Sequence, residues 1–144
     1  MRSITASFLA TGLIILIQPV ESCATKQQKM RLNPAIQAPK PERVNEITSR
    51  QWPNPSIEIS DHVISVIWGG RRQQYKTMQP EEVEGFMVRL PVSAWPYGRI
   101  IEVSESALHS GGNTEMNYRV RSRTLVEAAM KRLHVTVQLG PPSA

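Results

Sequence analysis

Arg119, Arg121 and Arg123 alternate along the chain. On an extended backbone that spacing sets three guanidinium groups on one side, where they can grip the carboxylates or phosphates of an anionic partner. Upstream, His109-Ser110 puts a base type beside a nucleophile type, and Asp61-His62 does something similar in a turn. Neither pair has the context of a hydrolase, whose triad is assembled from distant segments. His62, His109 and His134 are far apart, with no i, i+4 spacing and no cysteine partner, so no metal site is expected. Glu102 and Glu105, three residues apart, fall on opposite faces of a strand, which leaves a paired-carboxylate glycosidase site unsupported. Gly111-Gly112 opens no lysine-bearing phosphate loop. The expectation is a protein that is not an enzyme, with no catalytic residue and no cofactor. Its candidate partner contacts are the three arginines, His109 and Asn113 in the polar stretch 107–121, and Trp95 and Tyr97 in the turn Trp95-Pro96-Tyr97-Gly98. Tryptophan is enriched at interface hot spots, and Trp95 is expected to be exposed.

Cys23 is the chain's single cysteine, so no internal disulfide can form. Ahead of it stand Arg2, an apolar run over 8–17 and the sequence Val20-Glu21-Ser22-Cys23-Ala24. That run is about half the ~20 residues a membrane-spanning helix needs, and it reads as a cleavable export signal. Val20 and Ser22 fit the aliphatic and small positions of a lipobox, with cleavage before Cys23 and acylation of its thiol. Glu21 is unusual there, and an ordinary signal peptidase cutting after Ala24 would remove the cysteine. Residues 1–22 are thus expected to be a signal peptide and Cys23 a lipid anchor. The location expected is the bacterial envelope, facing the periplasm and most simply on the outer membrane; the alternative is a soluble periplasmic or secreted protein.

Residues 23–55 read as a disordered, proline-rich tether. The stretch from Thr25 carries Pro34, Pro39, Pro41, Pro53 and Pro55, with Lys26, Lys29, Arg31, Lys40, Arg43 and Arg50 against Glu42 and Glu46. It therefore holds +4 of the chain's net +5. Without interleaved aromatics this arm does not suggest nucleic acid; anionic lipid or an acidic cell wall fits it better. Fully stretched, some 30 residues would reach about 100 Å.

The folded part is expected over 56–140, followed by a tail at 141–144. Ile57-Glu58-Ile59 alternates as a half-buried strand does, and 63–68 is a β-branched second strand. Gly69-Gly70 permits a hairpin turn, with a solvent-facing return over 71–76. Pro80 and the acids after it suit a helix start, and Val83, Phe86, Met87 and Leu90 make its apolar stripe. A strand over 99–103 follows, then the long loop 107–121. Thr124 and Glu127 form a capping box for a second helix carrying Leu125, Ala128, Ala129 and Leu133, and 134–139 is a last strand. The fold class is α+β, a sheet of four to five strands with two helices on one face. The strands over 99–103 and 135–139 would pair in parallel through the helix between them.

The succession of Ile57-Glu58-Ile59, 63–68, Gly69-Gly70 and the helix over 80–90 resembles the start of the periplasmic domain of the ExbD/TolR biopolymer-transport family, and a later strand, helix and strand complete that likeness. It covers about 80 residues. The acidic transmembrane residue that family uses for proton coupling has no counterpart over 4–20, so the likeness implies a dimerising or partner-binding envelope module and no energy transduction. The expected function is a lipoprotein that binds an envelope protein or peptidoglycan, with a homodimer left open. The alternatives are a periplasmic inhibitor or immunity protein that plugs a toxin or wall hydrolase with the 107–121 loop and, after it, a small hydrolase using His109 or His62.

Overall fold

The computed structural model describes residues 30–39, 52–106 and 112–142; the signal segment, Cys23 and His109 lie outside them. In chain order the elements are β1 (Ser56–Ile59), β2 (Ile64–Trp68), β3 (Gln74–Met78), a 3-10 turn (Pro80–Glu82), α1 (Val83–Arg89), a second 3-10 turn (Val92–Ala94), β4 (Ile100–Glu105), α2 (Asn113–Arg132) and β5 (Thr136–Leu139). The five strands form one sheet in the order β3-β2-β1-β4-β5. β1 pairs antiparallel with β2 and parallel with β4, and the expected parallel pair is β4 with β5. The fold is α+β.

Period-two patterning decides which face is buried. Ile57 and Ile59 of β1 stand level with Val66 and Ile64 of β2, and Ile57 with Val103 of β4. All five are buried, together with Ile101. Onto them pack Val83, Met87 and Leu90 from α1 and its end, and Val126, Ala129, Met130 and Leu133 from α2 and its end. The opposite face reads Tyr75, Ile67, Ser56, Glu102, Gln138 across the sheet, with Thr77, Ser65, Glu58 and Ser104 as the next row.

Three elements differ from their expected extent. β3 begins at Gln74 and not at Arg71, because the hairpin turn uses five residues. Gly69 and Gly70 both adopt positive φ (93° and 57°), and Arg72 N–H donates back to Gly69 O at 3.2 Å. A side chain at Gly69 would put its Cβ 2.7 Å from Arg72 O, so only glycine fits. The long loop is shorter than expected, since α2 already starts at Asn113. Its first half has no apolar period because the inward positions are Arg119 and Ser122 while Met116 and Val120 are exposed. Thr124 is therefore not a cap but a mid-helix residue whose Oγ1 donates to Val120 O at 2.9 Å. The helix ends at Arg132, and His134, with a φ of 56°, turns the chain in the left-handed manner common at helix ends. That residue consequently precedes β5 and is not part of it.

The arm also contributes to the domain. Leu32 and Ile36 are buried in the same core, Ala35 N–H donates to Asn33 Oδ1 at 2.9 Å, and Arg99 N–H donates to Gln37 O at 2.8 Å. The helical spacing of Leu32 and Ile36 is a weak signal beside the prolines and cations around them. Replacing Ile36 by Ala should lower stability by about 2–4 kcal/mol, the usual cost of truncating a buried isoleucine, read as a reduced urea midpoint. An unchanged midpoint would place 30–39 outside the cooperative unit.

Candidate functional site

A cleft of about 410 Å³ opens where the β2–β3 hairpin turn faces the second 3-10 turn. Trp68 forms its aromatic wall, and Pro53, Pro91 and Pro96 supply rigid apolar surface. Arg72, Gln74 and Ser93 add a guanidinium, a carboxamide and a hydroxyl. The Trp68 ring is held by an edge-on contact with Phe86, centroids 5.2 Å apart and planes at 62°. Proline rings have few rotamers to lose, so the walls are largely formed before anything binds. Apolar walls with a few convergent polar groups make a ligand-binding surface, and a guanidinium at the rim favours a ligand that carries a carboxylate. The lining holds no histidine, cysteine or acidic residue, so no base stands beside a nucleophile there.

Two of the cleft's three proline walls, Pro53 and Pro96, are held in place by Asn54, which is 1% exposed. Its Nδ2 donates to Gly98 O and to Ile100 O, each at 2.8 Å, and its Oδ1 accepts Tyr97 N–H at 2.8 Å. Pro53 adjoins it in sequence, and Pro96 adjoins Tyr97. Gly98 closes the junction at φ 80°. A Cβ there would lie 2.7 Å from Gln37 O and 2.8 Å from Ala38 O, so no side chain is accommodated. Trp52 and Tyr97 meet edge-on at 6.4 Å, and Trp52 Nε1 donates to Pro55 O at 3.0 Å.

The structure separates most of the residues that the sequence grouped as contacts. Trp95 is not an exposed contact: it is 4% exposed and belongs to the core. Its neighbours Ala94 and Pro96 line the cleft instead. Tyr97 is half-buried against Trp52, and Asn113 is exposed at the first position of α2. Arg119, Arg121 and Arg123 are helical, not extended, so residues two apart point in nearly opposite directions. They form no row. Arg119 is buried and reaches Asp61 Oδ1 through Nε at 2.8 Å and Ser106 O through Nη1 at 2.7 Å. Arg121 bonds Glu81 at 2.8 Å, while Arg123 bonds Glu127 at 3.0 Å and Glu105 at 3.4 Å. Each arginine thus has a carboxylate of its own domain.

On the open face, burial pushes the Glu102 carboxyl above its ordinary range. Its side chain lies where a Cβ on Gly140 would be. Among the described residues, no group of three histidine, cysteine or acidic side chains could hold a metal ion.

Sequence reasoning passed over Asn54, Arg72 and the cleft role of Trp68. The available signals were an asparagine set between two prolines and an aromatic residue abutting a double glycine. Compared with protein-family models, curated proteins and solved structures, the chain matches none.

Asn54→Ala removes three hydrogen bonds, two of them buried, and a loss of about 2–3 kcal/mol is expected in urea unfolding; an unchanged midpoint would mean the junction opens without cost. Glu102→Gln tests the open face. With the folded pKa raised, the folded state binds more protons than the unfolded one, so wild-type stability falls as pH rises from the unfolded value of 4.5 through the folded one. The variant should therefore be the more stable above that window, and the two should converge below it.

Proposed function

We propose that the chain is an exported, lipid-anchored accessory of a bacterial envelope assembly, in which Cys23 holds the membrane and the domain holds a protein or cell-wall partner. The observation that carries the binding role is the cleft, with Trp68 and rigid proline walls beside Arg72. The anchor rests on the apolar run over 8–17 and on Val20, Ser22 and Cys23. Among the described residues no helix is long and apolar enough to cross a membrane.

Burial of Leu32 and Ile36 changes the geometry this reading implies. Met30, where the described chain begins, is only seven residue steps from Cys23. The greatest reach of those steps is about 25 Å, a quarter of what an arm free to residue 55 would give. The domain then works close to the bilayer, where Lys26, Lys29 and Arg31 meet anionic head groups. The inhibitor reading gains no support from α2, which takes residues 113–121 out of the loop that would have been its plug.

Metabolic labelling with an alkyne palmitate in cells producing the full chain tests the anchor. The wild type should take up label and sediment with membranes, and Cys23→Ser should do neither. An unlabelled wild-type chain that is missing Cys23 would establish cleavage after Ala24 and a soluble exported protein.

A further inference from the structure

The sheet has two outer strands, and they differ in what they offer. Ser60 N–H donates to Val63 O at 3.0 Å, which makes Ser60 and Val63 a hydrogen-bonded pair of the β1–β2 ladder. Such pairs recur every second residue, so Val63, Ser65 and Ile67 turn their backbone groups toward β1. Ile64, Val66 and Trp68 then turn theirs toward β3, where they stand level with Met78, Lys76 and Gln74. It follows that Tyr75 and Thr77 direct both N–H and C=O away from the sheet. Among the described residues no backbone group from outside the sheet reaches them. β3 runs five residues with no proline until Pro80, whereas β5 runs four and meets Pro141-Pro142 almost at once.

The charge along β3 is one-sided. Arg71, Arg72 and Lys76 are exposed, and none has an acidic partner among the described residues. Lys76 Nζ instead lies 5.2 Å from the centre of the Phe86 ring. Five of the domain's acids are engaged elsewhere: Glu81, Glu84, Glu127 and Asp61 on arginines of α2, and Glu82 on the Gln79 N–H. Two copies of β3 laid edge to edge would bring these cations together, which disfavours self-pairing. An acidic strand would neutralise them.

We propose that the outer edge of β3 is a docking strand for an extended acidic segment of a partner protein, which adds to the sheet beside Tyr75 and Thr77 and continues past Gln74 toward the cleft. Backbone hydrogen bonds supply the pairing in such strand addition, and alternate side chains supply selectivity. On one face the added strand meets Tyr75, which is 76% exposed. On the other it meets Lys76 and Gln74, and Gln74 and Arg72 are themselves part of the cleft wall. The inference rests on reading the domain as a binding module and is independent of the lipid anchor.

The test uses the full-length chain in detergent micelles and a fluorescent decapeptide of alternating valine and glutamate, with the valine–lysine decapeptide as control. Anisotropy should show at least tenfold tighter binding of the glutamate peptide, weakening as salt is raised. Thr77→Pro removes only an outward N–H, which edge strands tolerate, and should cost tenfold or more in affinity at unchanged Tm. Should that variant unfold, hydrogen exchange on the wild type answers the same question: the Tyr75 and Thr77 amides should slow when peptide is added. Reversing Arg71, Arg72 and Lys76 to Glu should transfer the preference to the lysine peptide. Binding that survives in folded Thr77→Pro with no slowing at Tyr75 and Thr77 would overturn strand addition, and equal affinity for the two peptides would overturn the acidic partner. Both outcomes can arise whether or not Cys23 is acylated, so this failure is separate from failure of the anchor.

Discussion

One buried carboxamide sets the frame of this domain. Asn54 stands two residues before β1, yet its donors go to Gly98 O and Ile100 O at the entry to β4. A parallel pair has no tight turn to fix its register, and here Ile57 and its partner Val103 lie 46 positions apart in the chain while Ser56 must come level with Glu102. The Asn54 side chain makes that choice locally. A slip of one residue would take both donors off their carbonyls and leave them buried without partners, at a cost of several kcal/mol. It would also turn Ile57 and Ile59 away from the helices.

The far end of the same strand pair is closed by a different polar device. Ser106 N–H donates to Ile59 O at 3.0 Å, and the Arg119 guanidinium spans Asp61 and Ser106. That single side chain joins the β1–β2 turn, the end of β4 and the second turn of α2. Arginine suits the position because its planar fork can serve two acceptors at once. A buried ion pair is weak evidence for stability, but it does fix how α2 enters the sheet. The apolar half of that helix, from Val126 to Leu133, then supplies the packing.

These polar junctions explain what could be read in the sequence and what could not. Strands announced by alternation, such as Ile57-Glu58-Ile59, and the stripe Val83, Met87, Leu90 were legible because burial of apolar groups has a period. The parallel pairing of β4 with β5 followed from the intervening helix. The first half of α2 was not legible, since a buried arginine and a buried serine occupy its core positions and erase the period. Nor was the burial of Leu32 and Ile36, two apolar residues in a basic, proline-rich stretch whose partners lie more than 20 residues away. Trp95 misled for a related reason: a tryptophan between an alanine and a proline in a turn carries no mark of which side it faces. The cleft escaped notice because its walls come from three separated segments, two of them joined by a hydrogen-bonded asparagine that no pattern of hydrophobicity records.

The same segregation governs the charges. In α2 each arginine on the domain's flank finds a carboxylate within reach, including Arg132 on Glu84 and Arg121 on Glu81. Exposed pairs of this kind contribute little individually, yet together they neutralise the helical side of the domain. The cations of the β2–β3 hairpin are left outside that balance, on a five-residue turn whose glycines allow them to project beside an unpaired strand edge. Sheet edges that carry lysine resist pairing with their own kind, and the residues that protect β3 from self-association are therefore also those that give it a preferred sign of partner. Protection and selectivity at that edge arise from one arrangement of charge.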